Sequence, residues 1–236
     1  MTEPPRRFWA VVPAAGSGAR MRTDIPKQYL PLAGRSVLDR TLGALLAGGV
    51  FERLVVVLAA GDGHWCDSPL ADDARVITTT GAASRCESVS NGLARLSEFA
   101  DGDDWVAVHD AARPCVTAQD LQNVLSAAQV HADGALLAIR VTDTLKSADA
   151  QDRVSATLDR ERLWRALTPQ VFPLQTLRTA LETAMSGGLQ PTDEAQAMEL
   201  AGYRPRLVQG RADNLKITRP DDLQLAEAVL RSAGND

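Results

Sequence analysis

The chain has few of the residues that usually carry covalent or metal chemistry. Its 236 residues include only three cysteines and three histidines. Cys66, Cys86 and Cys115 are widely spaced and form no C-x-x-C pair, which argues against a zinc site. The sequence also shows no Ser-His-Asp arrangement and no H-E-x-x-H motif, so it does not indicate a covalent nucleophile or a zinc protease.

Basic charge and long apolar runs are scarce as well. The net charge of -5 and the pI near 5.3 argue against a general nucleic-acid-binding protein. No apolar segment approaches the length of a membrane-spanning helix, and the run that follows Arg6 and Arg7 is too short for a signal peptide. We therefore expect a cytoplasmic protein with reduced thiols, no membrane segment and no nucleic-acid partner.

Apolar strand-like runs alternate with helical patterns up to about residue 140. The runs FWAVVPAA and RLVVVLAAG predict buried strands, whereas Ser36, Ser84 and Thr117 are candidate caps of the helices that follow them. This order predicts one α/β domain over residues 1–236, with a mostly parallel, twisted sheet flanked by helices. Such sheets bind ligands at the carboxyl ends of their strands, where the opening loop, TGAAS and HDAARP all fall.

The alternation ends after residue 140. Two polar-rich runs containing Thr and Val surround the turn-like segment SADAQD, which predicts a β-hairpin arm over residues 141–159. The arm has too few apolar residues for a core of its own, so a second subunit is its simplest partner. After the arm, the sequence predicts helices over PLQTLRTALETAMSGG, TDEAQAMELAG and RPDDLQLAEAVLRSAG, and strands over RPRLVQG and NLKIT.

The loop GSGARMRTDIPK combines glycines with well-spaced cations. It is a poor dinucleotide fingerprint because Met21 stands where a third small residue is expected, and it lacks the G-K-[ST] of a Walker A loop. Glycines let backbone amides approach a polyanion, and Arg20, Arg22 and Lys27 can bind phosphates. The loop therefore favours a polyphosphate ligand, and the alternative is an ordinary strand-to-helix turn with exposed cations.

Other segments contribute further polar candidates. Asp110 and Arg113 follow a buried strand, where a carboxylate beside a polyphosphate suits Mg²⁺; alternatively, Asp110 caps a turn and pairs with Arg113. His109 is expected to pack or to orient this loop. Lys216, placed in a predicted strand, either points into a site or protects a sheet edge, and Thr192 stands at a helix start. Such groups indicate phosphoryl or nucleotidyl transfer by positioning and charge neutralisation.

Seven segments then form an ordered set: VVPAAGSGARMRTDIPKQYLPLAGRSVL, SVSNGL, VHDAARP, DTLK, LWRALTPQVF, TDEAQAMELAG and RADNLKITRPDDLQLAE. Over nearly the whole chain this set closely resembles the 2-C-methyl-D-erythritol 4-phosphate cytidylyltransferase family of the non-mevalonate isoprenoid pathway. The resemblance implies a Rossmann-like nucleotidyltransferase that joins CTP to methylerythritol phosphate and releases pyrophosphate. It also implies the use of Mg²⁺ and a homodimer formed through the arm.

The resemblance implies roles for particular residues. Arg20 and Lys27 match catalytic cations on the triphosphate. Asp110 and Lys216 match residues at the reacting α-phosphate, with Asp110 near the metal. The residues expected along the nucleotide are Pro13, Ala14, Ala15, Gly16, Gly18, Ala82 and Ser88. Those expected around the second substrate are Arg113, Thr144, Arg160, Thr168 and Thr192, with Thr144 and Arg160 reaching over from the partner subunit.

One position departs from the family pattern, and three other functions compete with this one. Ala83 stands where the family commonly has an acidic residue, so a carboxylate contact is lost beside the cytosine. The nearest alternative substrate is a pentitol phosphate such as ribitol 5-phosphate, although enzymes for it tend to carry L-A-G-G where this chain has Pro-Ala-Ala-Gly. The alternatives from other classes are a non-catalytic nucleotide sensor and a dehydrogenase that binds a nicotinamide cofactor.

Overall fold

A seven-stranded sheet forms the centre of the protein, for which the computed structural model describes residues 6–16 and 25–234. The strands, in chain order, are β1 (Phe8–Pro13), β2 (Pro31–Leu32), β3 (Arg35–Ser36), β4 (Leu54–Leu58), β5 (Val76–Thr80), β6 (Trp105–Val108), β7 (Ala135–Arg140), β8 (Leu145–Ala148), β9 (Val154–Leu158), β10 (Trp164–Pro173) and β11 (Arg206–Gln209). The helices are α1 (Val37–Ala47), α2 (Arg85–Leu96), α3 (Ala118–Val130), α4 (Leu174–Ser186), α5 (Glu194–Leu200) and α6 (Pro220–Ser232).

The strand order in the main sheet is β11-β7-β10-β6-β1-β4-β5. The pairs β1–β4, β1–β6, β4–β5 and β7–β11 are parallel, and only β10 among these strands runs antiparallel to both of its neighbours. The prediction of an α/β fold with a mostly parallel sheet is therefore confirmed. Because parallel neighbours end at the same edge, the loops that follow β1, β4, β5 and β6 lie together.

Helices cover both faces of the sheet, which explains the continuous apolar run of β1. Ala10 and Val12 pack into the cluster that also contains residues of α1 and α3, whereas Trp9 and Val11 pack into the cluster with residues of α2, α4 and α5. A strand buried on both faces needs apolar residues at every position. A third cluster, around Ile217, packs α6 against the segment that leads into α1.

The predicted helix caps lie where the sequence placed them. The side chains of Ser36, Ser84 and Thr117 each accept a hydrogen bond from the backbone three residues later, and the acidic residue there bonds back to the cap. These capping boxes satisfy backbone groups that would otherwise lack partners at the start of α1, α2 and α3. Among the described residues, no helix has both the length and the apolar character needed to span a bilayer.

The strands predicted from the sequence need two corrections, one for a strand that is absent and one for a strand that was missed. The segment NLKIT is not a strand: Ile217 donates one backbone hydrogen bond to Ala112, and Thr218 bonds to the Asp222 carboxylate at the start of α6. The sequence also did not predict β10, which contains Pro169. A proline argues against an interior strand, and β10 accommodates it where the pairing register shifts between Ala166 and Gln170.

The predicted arm is a β-hairpin in which β8 and β9 pair antiparallel. Its residues are mostly exposed, including the apolar side chains of Val154 (67%) and Leu158 (46%). The Lys146 ammonium donates to the Thr157 hydroxyl across the hairpin. The hairpin is confirmed, whereas the division of the chain into one domain with a protruding arm stays a prediction.

Two helix-interior glycines provide a test of how closely α2 packs on the sheet. A Cβ atom at Gly92 in α2 would lie 2.5 Å from Val11 Cγ1 and 2.8 Å from Val57 Cγ2, whereas one at Gly43 in α1 would meet nothing within 4 Å. Gly43→Ala should raise the free energy of unfolding by about 0.5–1 kcal/mol through helix propensity. Gly92→Ala should lower it by roughly 1–3 kcal/mol through overpacking. Urea midpoints measure both changes, and equal shifts would contradict the packing.

Candidate active site

A cleft opens at the edge of the sheet where β1, β5 and β6 end. The loops after these strands reach each other because Gly81 has no side chain: a Cβ atom there would lie 2.5 Å from Ala15 Cβ and 2.8 Å from Ser88 Oγ. The described residues that line the cleft are Pro13, Ala14, Ala15, Gly16, Lys27, Gln28, Ala82, Ala83, Ser84, Arg85, Ser88, Asp110, Ala111, Ala112 and Lys216. The three predicted ligand-binding loops therefore meet in one place.

Small side chains form one wall of the cleft, and hydrogen bonds fix their loops. The buried amide of Gln28 donates to the Ala14 carbonyl at 2.7 Å, which holds the opening loop against the segment after Lys27. Ser88 Oγ accepts from the Ala82 backbone N–H at 3.0 Å and donates to the Ser84 carbonyl at 2.9 Å. These hydrogen bonds fix the small residues Ala14 and Ala82 in the lining of the cleft.

Another part of the cleft lining is cationic. Lys27 donates to the Ile217 carbonyl at 3.1 Å, which ties the opening segment to the chain that carries Lys216. Lys216 lies 3.0 Å from Asp110 Oδ2 through its ammonium. The whole chain has three lysines, at positions 27, 146 and 216, so two of the three line this cleft.

Asp110 is the centre of the polar cluster. Arg113 Nε lies 3.2 Å from Oδ2, beside the Lys216 ammonium, and Arg85 Nη2 lies 3.4 Å from Oδ1. Burial alone would raise the pKa of Asp110, but the charges of Arg85, Lys216 and Arg113 outweigh it and hold the pKa well below its ordinary value. The carboxylate is therefore ionised whenever the protein is folded near neutral pH.

Arg85 links Asp110 to a second buried carboxylate. Its Nη1 and Nη2 donate to Glu194 at 2.6 and 3.1 Å, and the Glu194 side chain is only 1% exposed. Burial would lower the pKa of Arg85, but Glu194 and Asp110 more than reverse this effect and raise it above its ordinary value. Three cations, Arg85, Arg113 and Lys216, contact these two carboxylates, so the cluster carries a net positive charge that suits an anionic ligand.

A buried hydrogen-bond chain supports the loop behind Asp110. His109 Nε2 lies 3.1 Å from the Arg113 carbonyl, which can only accept, so this nitrogen carries the ring proton. Nδ1 then accepts from the Thr168 hydroxyl at 3.0 Å, and the hydroxyl oxygen accepts from the Asp110 backbone N–H at 3.1 Å. The expectation that His109 orients this loop agrees with these contacts.

The remaining predicted residues occupy different places. Arg113 is buried behind Asp110 and donates to the Asn214 carbonyl at 2.8 Å, so its pairing with Asp110 matches the structural alternative stated above. Thr192 is exposed just before α5, whose cap is Asp193. At the base of the arm, Arg160 donates to Thr144 at 2.9 Å, and neither lines the cleft in its own chain. Gly18 and Arg20, together with Met21 and Arg22, lie outside the described residues.

Comparison with known proteins identifies the family. The family model of 2-C-methyl-D-erythritol 4-phosphate cytidylyltransferase matches residues 8–232. The chain belongs to this family. A curated relative of that name from Pseudomonas aeruginosa is 52% identical over 217 residues, covering 92% of this chain and 93% of the relative. Another, from Tolumonas auensis, is 48% identical over 224 residues, covering 95% and 96%.

Solved structures agree with the family assignment. The crystal structure of a 4-diphosphocytidyl-2C-methyl-D-erythritol synthase matches with a TM-score of 0.84 and 36% identity, covering 96% of this chain and 99% of that one. A Francisella tularensis 2-C-methyl-D-erythritol 4-phosphate cytidylyltransferase matches with a TM-score of 0.83 and 34% identity, covering 95% and 100%. The fold of this cytidylyltransferase family is therefore shared over almost the entire chain.

Sequence reasoning missed two residues that line this cytidylyltransferase cleft, Gln28 and Arg85, and it missed Glu194, the buried partner of Arg85. Arg85 gave a usable signal, because it follows the cap Ser84 and so places a cation in the first turn of α2, where the helix dipole disfavours positive charge. A residue in an unfavourable place needs a compensating partner, and Glu194 is that partner. Glu194 gave no signal of its own, since an acidic residue at a helix start is ordinary.

The cleft has the chemistry for a metal that is shared with phosphates. Among the described residues, no group of three or more His, Cys, Asp or Glu side chains could hold an ion by itself. Asp110 is the one carboxylate among the described residues that line the cleft. Mg²⁺ is commonly held by one or two carboxylates together with substrate phosphates and water, so this donor set fits Mg²⁺ brought with a nucleotide.

Protonation of His109 should make the stability of the metal-free protein depend on pH. Burial lowers the pKa of His109 from 6.5 to about 4. Between these values the unfolded chain binds a proton that the folded chain does not, so the free energy of unfolding falls as the pH drops. Between pH 7.5 and 4.5 this loss should be roughly 2–3 kcal/mol larger in the wild type than in His109→Gln, measured by urea unfolding. Equal losses of unfolding free energy in the two proteins would show that the pKa of His109 is not lowered in the folded state.

Proposed function

We propose that the protein transfers CMP from CTP to 2-C-methyl-D-erythritol 4-phosphate, giving 4-diphosphocytidyl-2-C-methyl-D-erythritol and pyrophosphate. The observation that carries the proposal is the meeting of Lys27, Lys216 and Asp110 in one cleft beside the glycine-containing loop after β1. Membership of the cytidylyltransferase family supports the choice of substrates.

The chemistry follows from the charges of the reactants. An oxygen of the substrate phosphate attacks the α-phosphorus of CTP in line, while the bond from that phosphorus to the bridging oxygen breaks and pyrophosphate leaves with its electron pair. A phosphate monoester is already a competent nucleophile near neutral pH, so the reaction requires no general base. The main barrier is repulsion between anions, and fixed cations in a water-poor cleft lower it.

Each side of the cleft has a role in this proposal. Lys27 neutralises the triphosphate, and Lys216 stabilises charge at the α-phosphate, held there by Asp110. The backbone around Ala14 and Ala82, with Ser88 behind it, contacts the cytosine. Arg20 is a further proposed catalytic cation. The remaining proposed contacts are Pro13, Ala15, Gly16 and Gly18 on the nucleotide, and Arg113, Thr168 and Thr192 on the second substrate.

Mg²⁺ is the proposed cofactor, and Asp110 is the residue that would hold it. When bound, the ion supplies positive charge to the phosphate oxygens. For this purpose Asp110 must share its carboxylate between the ion and the cations that already contact it. The low pKa of Asp110 keeps the carboxylate ionised and therefore available as an oxygen ligand.

We also propose a cytoplasmic homodimer built through the arm. The support is that Val154 and Leu158 expose apolar side chains on a hairpin that is too small for its own core. Thr144 and Arg160 are hydrogen-bonded at the base of the arm and would reach the cleft of the partner subunit. Free thiols at all three cysteines are consistent with a reducing compartment.

One assay separates the competing functions. The protein is incubated with CTP and Mg²⁺, and with methylerythritol phosphate or ribitol 5-phosphate in turn, while pyrophosphate is measured. The proposal expects release mainly with methylerythritol phosphate. Pyrophosphate release mainly with ribitol 5-phosphate would identify that compound as the substrate instead. CTP binding without pyrophosphate release from either compound would favour a nucleotide sensor. Binding of a nicotinamide cofactor would favour the dehydrogenase alternative.

Loss of the Lys27 ammonium should impair turnover. Lys27→Ala should lower kcat by roughly 10²-fold or more, the usual effect of removing one group that stabilises the transition state. The control is Arg231→Ala, which removes an exposed cation from the last turn of α6, outside the cleft lining. Near-normal kcat for Lys27→Ala would contradict the assigned role.

Charges on the arm should disrupt the dimer. Val154→Asp combined with Leu158→Asp should weaken self-association at least tenfold, because a charged group cannot be buried unpaired in an apolar contact. Sedimentation velocity at micromolar concentrations measures the change. Val130→Asp is the control, since Val130 is 78% exposed at the end of α3 and outside the arm. A double variant as dimeric as the wild type would exclude the arm as the interface.

A further inference from the structure

The ion pair between Arg85, which lines the cleft, and the buried Glu194 joins the starts of two helices. Arg85 is the first residue of α2, and Glu194 is the first residue of α5. The two terminal guanidinium nitrogens, Nη1 and Nη2, bond to Glu194 at 2.6 and 3.1 Å, so the contact is bidentate and fixes the plane of the guanidinium. Glu194 is almost wholly buried, whereas 31% of the Arg85 side chain remains exposed in the cleft.

The same guanidinium also contacts Asp110. Arg85 Nη2 lies 3.4 Å from Asp110 Oδ1, while Oδ2 is occupied by Lys216 at 3.0 Å and Arg113 at 3.2 Å. The two oxygens of Asp110 thus face different cations. Arg85 contacts Glu194 more closely than Asp110, so most of its charge is balanced by Glu194 and its contact with Oδ1 stays long.

We propose that Glu194 and Arg85 are positioning residues for the transfer reaction. Glu194 orients Arg85, and Arg85 restrains the Oδ1 side of Asp110 so that Oδ2 stays directed at Lys216. This inference rests on the proposed function, because it assigns the pair a task at the reacting α-phosphate. Neither residue needs to touch a substrate to perform it.

The charge balance explains why Glu194 matters beyond packing. If Glu194 lost its charge, Asp110 would be the one remaining carboxylate partner of Arg85 among the described contacts. Arg85 would then pair with Asp110 alone, and it would compete with Lys216 for the Asp110 carboxylate. Changing a residue that orients a metal-ligating side chain, the proposed role of Asp110, typically costs 10–100-fold in activity.

Another buried carboxylate in the chain provides a matched control. Asp104 has a 5% exposed side chain, pairs with Arg7 at 3.1 Å and accepts from Trp9 Nε1 at 2.9 Å. It stands immediately before β6, whereas Asp110 follows the other end of that strand. Asp104→Asn therefore removes a buried, arginine-paired charge at the opposite edge of the sheet and reports on structure alone.

The experiment compares Glu194→Gln and Asp104→Asn with the wild type in steady-state pyrophosphate release. Both variants should lower the melting temperature, because each removes a charge from a buried pair. Glu194→Gln should also lower kcat by roughly 10–100-fold while the KM for CTP changes by less than about threefold. Asp104→Asn should keep the kcat of the wild type. Unchanged kcat in Glu194→Gln, or an equal loss in Asp104→Asn, would overturn the inference.

Arg85→Lys keeps the proposal testable if Glu194→Gln does not fold. A lysine keeps the positive charge beside Glu194 but cannot donate from two fixed nitrogens, so it cannot hold Glu194 and Asp110 in the same geometry. Its kcat should fall by roughly tenfold or more, whereas a wild-type kcat would overturn the inference. If the wild type itself released no pyrophosphate with either alcohol phosphate, the proposed function would be wrong, and this inference, which rests on it, would fall with it.

Discussion

The arrangement of the cleft depends on the ion pairs that the ionised carboxylate of Asp110 makes with the cations around it. A buried carboxylate is costly unless charges compensate for the lost water, and here Arg85, Arg113 and Lys216 do so. The dependence is mutual, because three cations this close would repel each other without the carboxylate between them. Glu194 balances Arg85 from the far side and leaves the open part of the cleft positive.

The fold places this cluster through strand ends rather than through one continuous motif. Lys27 and Lys216 are 189 positions apart in sequence but meet because the Lys27 ammonium bonds to the carbonyl of Ile217. Asp110 reaches the same place as the second residue after β6. The parallel pairing of β1 with β6 puts both loops at one edge, where backbone groups and side chains can converge.

The sequence predicted those parts of the structure that follow from local patterns. Ser36, Ser84 and Thr117 cap helices because a short hydroxyl side chain followed by an acidic residue fits a helix start. β10 could not be predicted in this way, since Pro169 argues against a strand and the register shift that accommodates it depends on both neighbouring strands. The strand predicted around Lys216 was wrong for a related reason. The backbone of Ile217 bonds to a loop, and that of Thr218 bonds to the Asp222 carboxylate at the start of α6.

Lysine placement has a practical consequence for handling the protein. Reagents that acylate primary amines have three lysines to attack, and two of them line the cleft. Lys216 keeps 36% of its side chain open to solvent, enough for such a reagent to approach. Coupling a dye or a resin through lysines would therefore modify the lining of the cleft in many of the molecules. Attachment through the exposed thiol of Cys66 uses a group outside the cleft lining.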